Sequence, residues 1–94
     1  MGNKAHYWMI EDSVQSIDRF VETGAHPGDF LYAVLTNNLK ESFAKADSNN
    51  KNLLFDIVRY CYNEIPGACW GSVEKVAEWS KDRMAERKAK EEAK

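Results

Sequence analysis

Glycine and proline are confined to two short stretches of this chain, and that confinement limits the fold more than any other feature. Apart from Gly2, every glycine and proline lies within residues 24–28 or 66–71. Because both residue types interrupt regular structure, the two clusters divide the chain into longer uninterrupted segments. Apolar residues recur in those segments at i, i+3, i+4 and i+7, which is the spacing of a helix face. The sequence therefore predicts an all-α protein with little room for strands.

Four helical segments follow from this spacing, at residues 13–23, 28–47, 50–65 and from 72 onward. Ser13 and Ser72 are predicted to cap the first and fourth segments at their N-termini, and Gly24 to cap the first at its C-terminus. The polar residues between the second and third segments indicate a turn, or a turn plus a cap. A short turn between two long helices predicts an antiparallel helical hairpin, with a short N-terminal helix before it and a C-terminal helix after it.

Residues 1–80 are interpreted as a single helical-hairpin domain, and residues 81–94 as a charged C-terminal helical tail. The tail has almost no large apolar side chains, so we expect a solvated helix end, with an assembly contact as the alternative. A chain of 94 residues buries only a limited core by itself. Cys61 and Cys69 have neither the number nor the spacing of a disulfide or zinc framework. Oligomerisation is therefore the expected additional source of stability.

The charge balance excludes some classes of partner. Lys and Arg number 13 against 15 Asp and Glu, so the formal net charge is −2. Coating a polymeric nucleic acid requires clustered cations, and this composition argues against that role. No apolar run approaches the roughly 18 residues of a membrane span, so no membrane association is expected. The first residues lack the layout of a secretory signal, which together with reduced cysteines predicts a cytoplasmic location.

The predicted hairpin would bring both glycine and proline clusters to one end, where the second and fourth segments begin. Helix N-termini present unpaired N–H groups that bind anions, and glycine permits close approach of the backbone to a ligand. Aromatic side chains lie nearby in sequence, among them Trp70, and His26 adds a donor. This combination suits a nucleotide, although ordinary helix punctuation and core packing explain the same residues.

The sequence contains no pattern with a catalytic mechanism. His6 and His26 are the only histidines, and there is no nucleophile elbow, Walker loop, metal-ligand cluster or dinucleotide fingerprint. We therefore expect a binding protein with no enzymatic activity, no metal and no cofactor.

A longer pattern resembles a known family. It comprises GAHPGDFLYAVLTNNL at residues 24–39, AD at 46–47, YNEIP at 62–66, CWGS at 69–72, and then Val76 and Trp79. This run is similar to the helical-hairpin domain of phage anti-CBASS sponges, which is shared with some anti-Thoeris sponges. The resemblance covers about two thirds of the chain. It implies a protein that sequesters cyclic oligonucleotide second messengers of a bacterial defence system in the host cytoplasm without cleaving them.

The resemblance also implies an assembly and a set of ligand contacts. Family members form homo-hexamers, with cyclic dinucleotides in pockets shared between protomers and cyclic trinucleotides in separate pockets. An aromatic residue near the first helix stacks on a base, and Tyr7 or Trp8 is the equivalent here. The candidate ligand-binding residues are Lys4, Tyr7, Trp8, Gly24, His26, Pro27, Gly28 and Trp70.

Three positions depart from the family pattern. His26 stands where a lysine is expected to meet a phosphate. Gly28 and Gly67 stand where some members have a hydroxyl residue and an arginine. The sequence therefore does not decide whether this chain has a trinucleotide pocket. A rival interpretation is a phage helical protein that inhibits a host protein by direct binding, since the third segment is apolar on several faces.

Overall fold

The computed structural model describes residues 4–92, with the side chains of residues 4–6, 49 and 92 left aside. Within that range the chain is all-helical, as predicted, and contains no strand. The elements are a 3₁₀ segment at Lys4–Ile10, α1 (Glu11–Thr23), α2 (Asp29–Leu35), α3 (Leu39–Lys45), α4 (Ser48–Glu64), a 3₁₀ turn at Gly67–Cys69, and α5 (Val73–Glu92). None of these helices is long and apolar enough to cross a membrane, within the range described.

The start of α1 differs from the prediction. Ser13 was expected to cap the helix, but α1 begins at Glu11 with Ile10 in the cap position. The preceding 3₁₀ segment runs directly into α1, so the helix continues from Ile10 and does not begin at Ser13. The other end is as expected, because Gly24 adopts the left-handed conformation (φ 78°) and its N–H donates to the Phe20 carbonyl at 2.8 Å.

The second predicted segment is not one helix, and this is the largest correction to the sequence interpretation. α2 ends at Leu35 and α3 starts at Leu39, with Asn37 at φ 64° between them. The side chain of Asn38 accepts a hydrogen bond from the Glu41 N–H at 3.2 Å and so caps α3. Asparagine tolerates the left-handed region and is a strong N-cap, so two consecutive asparagines end one helix and begin another.

Side-chain caps define the remaining helices. Asp47 accepts the Asn50 N–H at 2.7 Å and starts α4 two residues earlier than predicted. Ser72 caps α5 as expected, accepting the Lys75 N–H at 3.1 Å. α4 ends at Glu64, where the extended conformation of Ile65 precedes Pro66.

The core lies between α1, α2 and α4. Its fully buried side chains include Ile17 and Phe20 of α1, Leu35 of α2, and Ile57 and Tyr60 of α4. α1 packs along α5, and the N-terminal 3₁₀ segment packs on α4. Four of the seven α2 residues are buried, so this apolar helix is covered on most sides.

Candidate functional site

The turn at residues 24–28 is held against α5 by direct backbone contact. The Ser80 hydroxyl donates to the Gly24 carbonyl at 2.7 Å. A Cβ at Gly24 would lie 2.6 Å from the Ser80 carbonyl oxygen and 3.1 Å from Cβ of Arg83. Only glycine therefore permits both the left-handed φ and this close approach. The turn predicted as a site is thus also the place where α1, α2 and α5 meet.

His26 has a defined environment on the surface of this turn. Its Nδ1 accepts the Gly28 N–H at 3.0 Å, and its ring stacks on Tyr32 with centroids 5.2 Å apart and planes 18° apart. Since Nδ1 is an acceptor here, the neutral ring carries its proton on Nε2, which leaves one ring donor. Together, the exposed His26 and the half-buried Tyr32 form an aromatic stack at the start of α2.

One cleft, called here the N-terminal cleft, lies between the end of the 3₁₀ segment, the start of α1, the turn and the start of α4. It measures about 570 Å³, and Trp8, Pro27, Gly28 and Phe30 are among its lining residues. Trp8 is 73% exposed, so its ring is accessible to a ligand. Four carboxylates also line this cleft, on Glu11, Asp12, Asp29 and Asp47.

A second cleft, called here the α5 cleft, lies on the other side of the turn, between α2 and α5. It measures about 310 Å³ and is lined by Gly24, His26, Pro27 and Tyr32 from the turn and α2, together with residues 76–84 of α5 in part. Among its lining residues there is one cation, Lys81, and no carboxylate. Pro27 borders both clefts.

The structure places five candidate residues around the two clefts. Trp8, Pro27 and Gly28 line the N-terminal cleft, while Gly24 and His26 line the α5 cleft with Pro27.

Two further candidate residues, Tyr7 and Lys4, are not among the described residues that line these clefts. Tyr7 is buried, packs edge-on against Tyr60 at 4.9 Å and donates to a Glu64 carboxylate at 3.2 Å. Of the two aromatic residues predicted for base stacking, Trp8 is therefore the accessible one. The side chain of Lys4 lies outside the part of the chain that the structure describes.

Trp70 is separated from the turn, and so is the second glycine and proline cluster. The Gly71 N–H donates to the Leu35 carbonyl at 2.7 Å, which places residues 66–71 at the C-terminal end of α2. Residues 24–28 precede the opposite end of α2. The expectation that both clusters share one end is therefore wrong, because the break at Asn37 shortens the helix to seven residues. Trp70 packs against the core instead.

The contribution of α5 to the turn is not among the features predicted from the sequence. Lys81 and Met84 line the α5 cleft, although their side chains, like those of residues 85–91, are exposed as the sequence predicts. The signal was present, because Val76, Ser80 and Met84 continue the same helix face at four-residue intervals.

The buried titratable groups lie away from both clefts. Burial raises the pKa of the Cys61 thiol to about 12 and that of Cys69 to about 11. Burial and a short hydrogen bond to Asp18 raise the pKa of Tyr60 far above its usual value. In the described part of the chain, no group of three or more His, Cys, Asp and Glu side chains could hold a metal ion.

Comparisons with known proteins do not identify a family. No family model matches the chain, and no curated protein or solved structure matches it significantly.

Proposed function

We propose that this chain is a phage anti-defence sponge that binds cyclic oligonucleotide second messengers and holds them without cleavage. Its ligands are cyclic dinucleotides, with cyclic trinucleotides as a further possibility, and sequestration in the host cytoplasm keeps CBASS effectors inactive. The observation that carries the proposal is the turn at residues 24–28, where two open clefts meet beside accessible aromatic rings. The same turn carries the centre of the resemblance described above.

Accessible rings around the turn support recognition of bases. Trp8 is exposed on one side, and on the other the exposed His26 ring stacks on the half-buried Tyr32. Stacking on such rings is the usual way that proteins hold unpaired bases, and it tolerates different bases. A ligand with two bases can thus be held from both sides of the turn.

The acidic N-terminal cleft supports a pocket completed by another subunit. Its four carboxylates would repel the phosphates of a cyclic dinucleotide, and no cation lines it among the residues whose side chains are described. A neighbouring protomer can bring the missing positive charge. A shared pocket of this kind is what the resemblance implies.

The surface of α4 supports assembly. Phe55, Val58 and Tyr62 lie three and four residues apart on one face of α4, and they are 78%, 37% and 79% exposed. An apolar stripe of this kind is typical of an interface. The proposed assembly is a homo-hexamer of helical hairpins.

Binding without cleavage is part of the proposal, and the two cysteine thiols do not supply a nucleophile for either cleft. Both thiols are buried and protonated at neutral pH, given their raised pKa values. His26 uses Nδ1 to accept the Gly28 N–H.

The proposal is tested by calorimetric titration of the protein with cyclic di-GMP, cyclic di-AMP, cyclic GMP-AMP and a cyclic triadenylate. After binding, the protein is denatured and the released ligand is analysed by mass spectrometry. Recovery of unaltered ligand supports a sponge, whereas altered ligand indicates an enzyme. Failure of every ligand to bind would exclude both. A strictly monomeric mass in solution would exclude the shared pocket.

The α4 stripe also favours the second candidate, a phage protein that inhibits a host protein by direct binding. In that case Phe55→Ser would leave the chain's own mass in solution unchanged and abolish inhibition. If the stripe serves self-assembly, the same substitution lowers the oligomer mass.

A further inference from the structure

We propose that Lys81 of α5 contacts a phosphate of the bound nucleotide, while the His26–Tyr32 stack carries the adjacent base. This inference rests on the proposed function and adds α5 to the ligand site. It starts from the difference between the clefts, since Lys81 is the cation among the residues lining the α5 cleft and no carboxylate lines it. The N-terminal cleft has the opposite character, with four carboxylates.

The backbone of Lys81 is fixed relative to the turn. The preceding residue, Ser80, donates to the Gly24 carbonyl at 2.7 Å, and its own carbonyl leaves no space for a Cβ at Gly24. The Cα of Lys81 is therefore one residue from a tight contact, which fixes its position relative to the turn. Its long side chain can extend from that position to a ligand in the cleft.

The nearest other cation of α5, Arg83, is already engaged. The Arg83 guanidinium lies 4.3 Å from the centre of the Trp79 ring and 3.0 Å from a Glu86 carboxylate oxygen. Lys81 forms no ion pair with any residue of the described range. Lys81 is therefore the cation lining the α5 cleft that can pair with an incoming anion.

The rest of the α5 cleft suits a nucleobase. Tyr32 is half-buried and holds the His26 ring at stacking distance, while Pro27 and Met84 contribute apolar surface. The volume of about 310 Å³ is at the lower end of the range for ligand pockets, which fits one nucleotide unit better than a whole cyclic dinucleotide. The Nε2 proton of His26 provides a donor at the edge of this platform.

The test uses Lys81→Gln, Lys81→Arg and, as a matched control, Lys88→Gln. Lys88 is exposed on the same helix and its substitution changes the net charge equally, but it lines neither cleft. The probe is the member of the cyclic nucleotide panel that binds the unsubstituted protein most tightly. We expect Lys81→Gln to weaken binding by about ten-fold, because a charged hydrogen bond is lost. Lys81→Arg should retain most of the affinity, and Lys88→Gln should change it less than two-fold.

The outcomes separate this inference from the proposed function. If the unsubstituted protein binds a panel member and Lys81→Gln binds it equally well, the role of Lys81 is wrong and the sponge proposal stands. Equal weakening by Lys81→Gln and Lys88→Gln would show a general charge effect and would also overturn the inference. If no panel member binds the unsubstituted protein, both proposals fail together.

Discussion

The N-terminal cleft and the α5 cleft share the turn at residues 24–28 but differ in charge and in the way their walls are held. The N-terminal cleft is the larger of the two and is acidic, and Trp8 of the 3₁₀ segment lines it. The α5 cleft is smaller and mostly apolar, and it is lined by α5, which is hydrogen-bonded to Gly24 through Ser80. The comparison teaches that the elements packed beside one turn set the charge on each side of it, with four carboxylates on one side and a lysine without a carboxylate on the other.

The largest expected effect comes from breaking the wall of the α5 cleft with Gly24→Ala. The new Cβ meets the Ser80 carbonyl oxygen at 2.6 Å, and alanine is strained at φ 78°. We expect the free energy of unfolding to fall by about 2–4 kcal/mol, as measured by urea denaturation.

Gly67→Ala is the matched control for that substitution. Gly67 has no atom within 4 Å of the position of an added Cβ, so the expected change is below about 0.5 kcal/mol. Equal stability of the two variants would show that α5 is not fixed to the turn by this contact.

Trp8→Ala tests the opposite cleft. Because Trp8 is largely exposed, we expect little change in stability, but a loss of about 1–3 kcal/mol in cyclic dinucleotide binding by calorimetry. Trp8→Phe should retain part of the affinity by keeping a stacking ring.

Tyr7→Ala is expected to behave differently and lower the urea midpoint, because Tyr7 packs on Tyr60 in the core. Unchanged affinity in Trp8→Ala would confine the site to the α5 side.

Alkaline pH tests the stability of the core, whose buried thiols lie away from both clefts. Burial raises the pKa values of Cys61 and Cys69 from 9.0 to about 12 and about 11, so each thiol stabilises the fold fully below pH 9. Above pH 9 the unfolded state loses these protons first. By pH 10, deprotonation of each thiol in the unfolded state should lower the free energy of unfolding by about 1.4 kcal/mol. Urea unfolding at pH 8 and pH 10 measures this loss, and Cys61→Ala should be less sensitive to pH.

The smallest effect comes from substitutions of Asp47, which caps α4 and also lines the N-terminal cleft. Asp47→Asn keeps the cap and removes the charge, so stability should change by less than about 0.5 kcal/mol, whereas Asp47→Ala should cost about 1 kcal/mol. Both variants should raise affinity for an anionic ligand by less than about 1 kcal/mol. A larger gain would show that phosphates enter the acidic cleft directly.

The helix ends that depend on local chemistry could be predicted from the sequence. Gly24 and Ser72 act as caps at the expected positions, because glycine at a left-handed site and serine at an N-cap are decided within a few residues. The break at Asn37 was missed, because the apolar face continues across it with a helical period. Two asparagines ended the helix where the face alone predicted continuity.

The candidate site was predictable at the turn but not in its surroundings. Pro27 and Gly28 line a cleft as the sequence suggested, whereas Trp70 lies at the other end of α2. The contact between Gly24 and Ser80 joins residues 56 positions apart, and no local pattern reports it. The role of α5 therefore required the tertiary structure.

The unequal burial of the three tryptophans has a spectroscopic consequence. Trp8 is 73% exposed, while Trp70 and Trp79 pack against the core, and the Trp79 indole N–H donates to the Val21 carbonyl at 2.9 Å. Fluorescence from Trp8 should be quenched readily by acrylamide, and emission from the other two should resist quenching. The protein therefore contains its own reporter of events in the N-terminal cleft, with two internal references in the same spectrum.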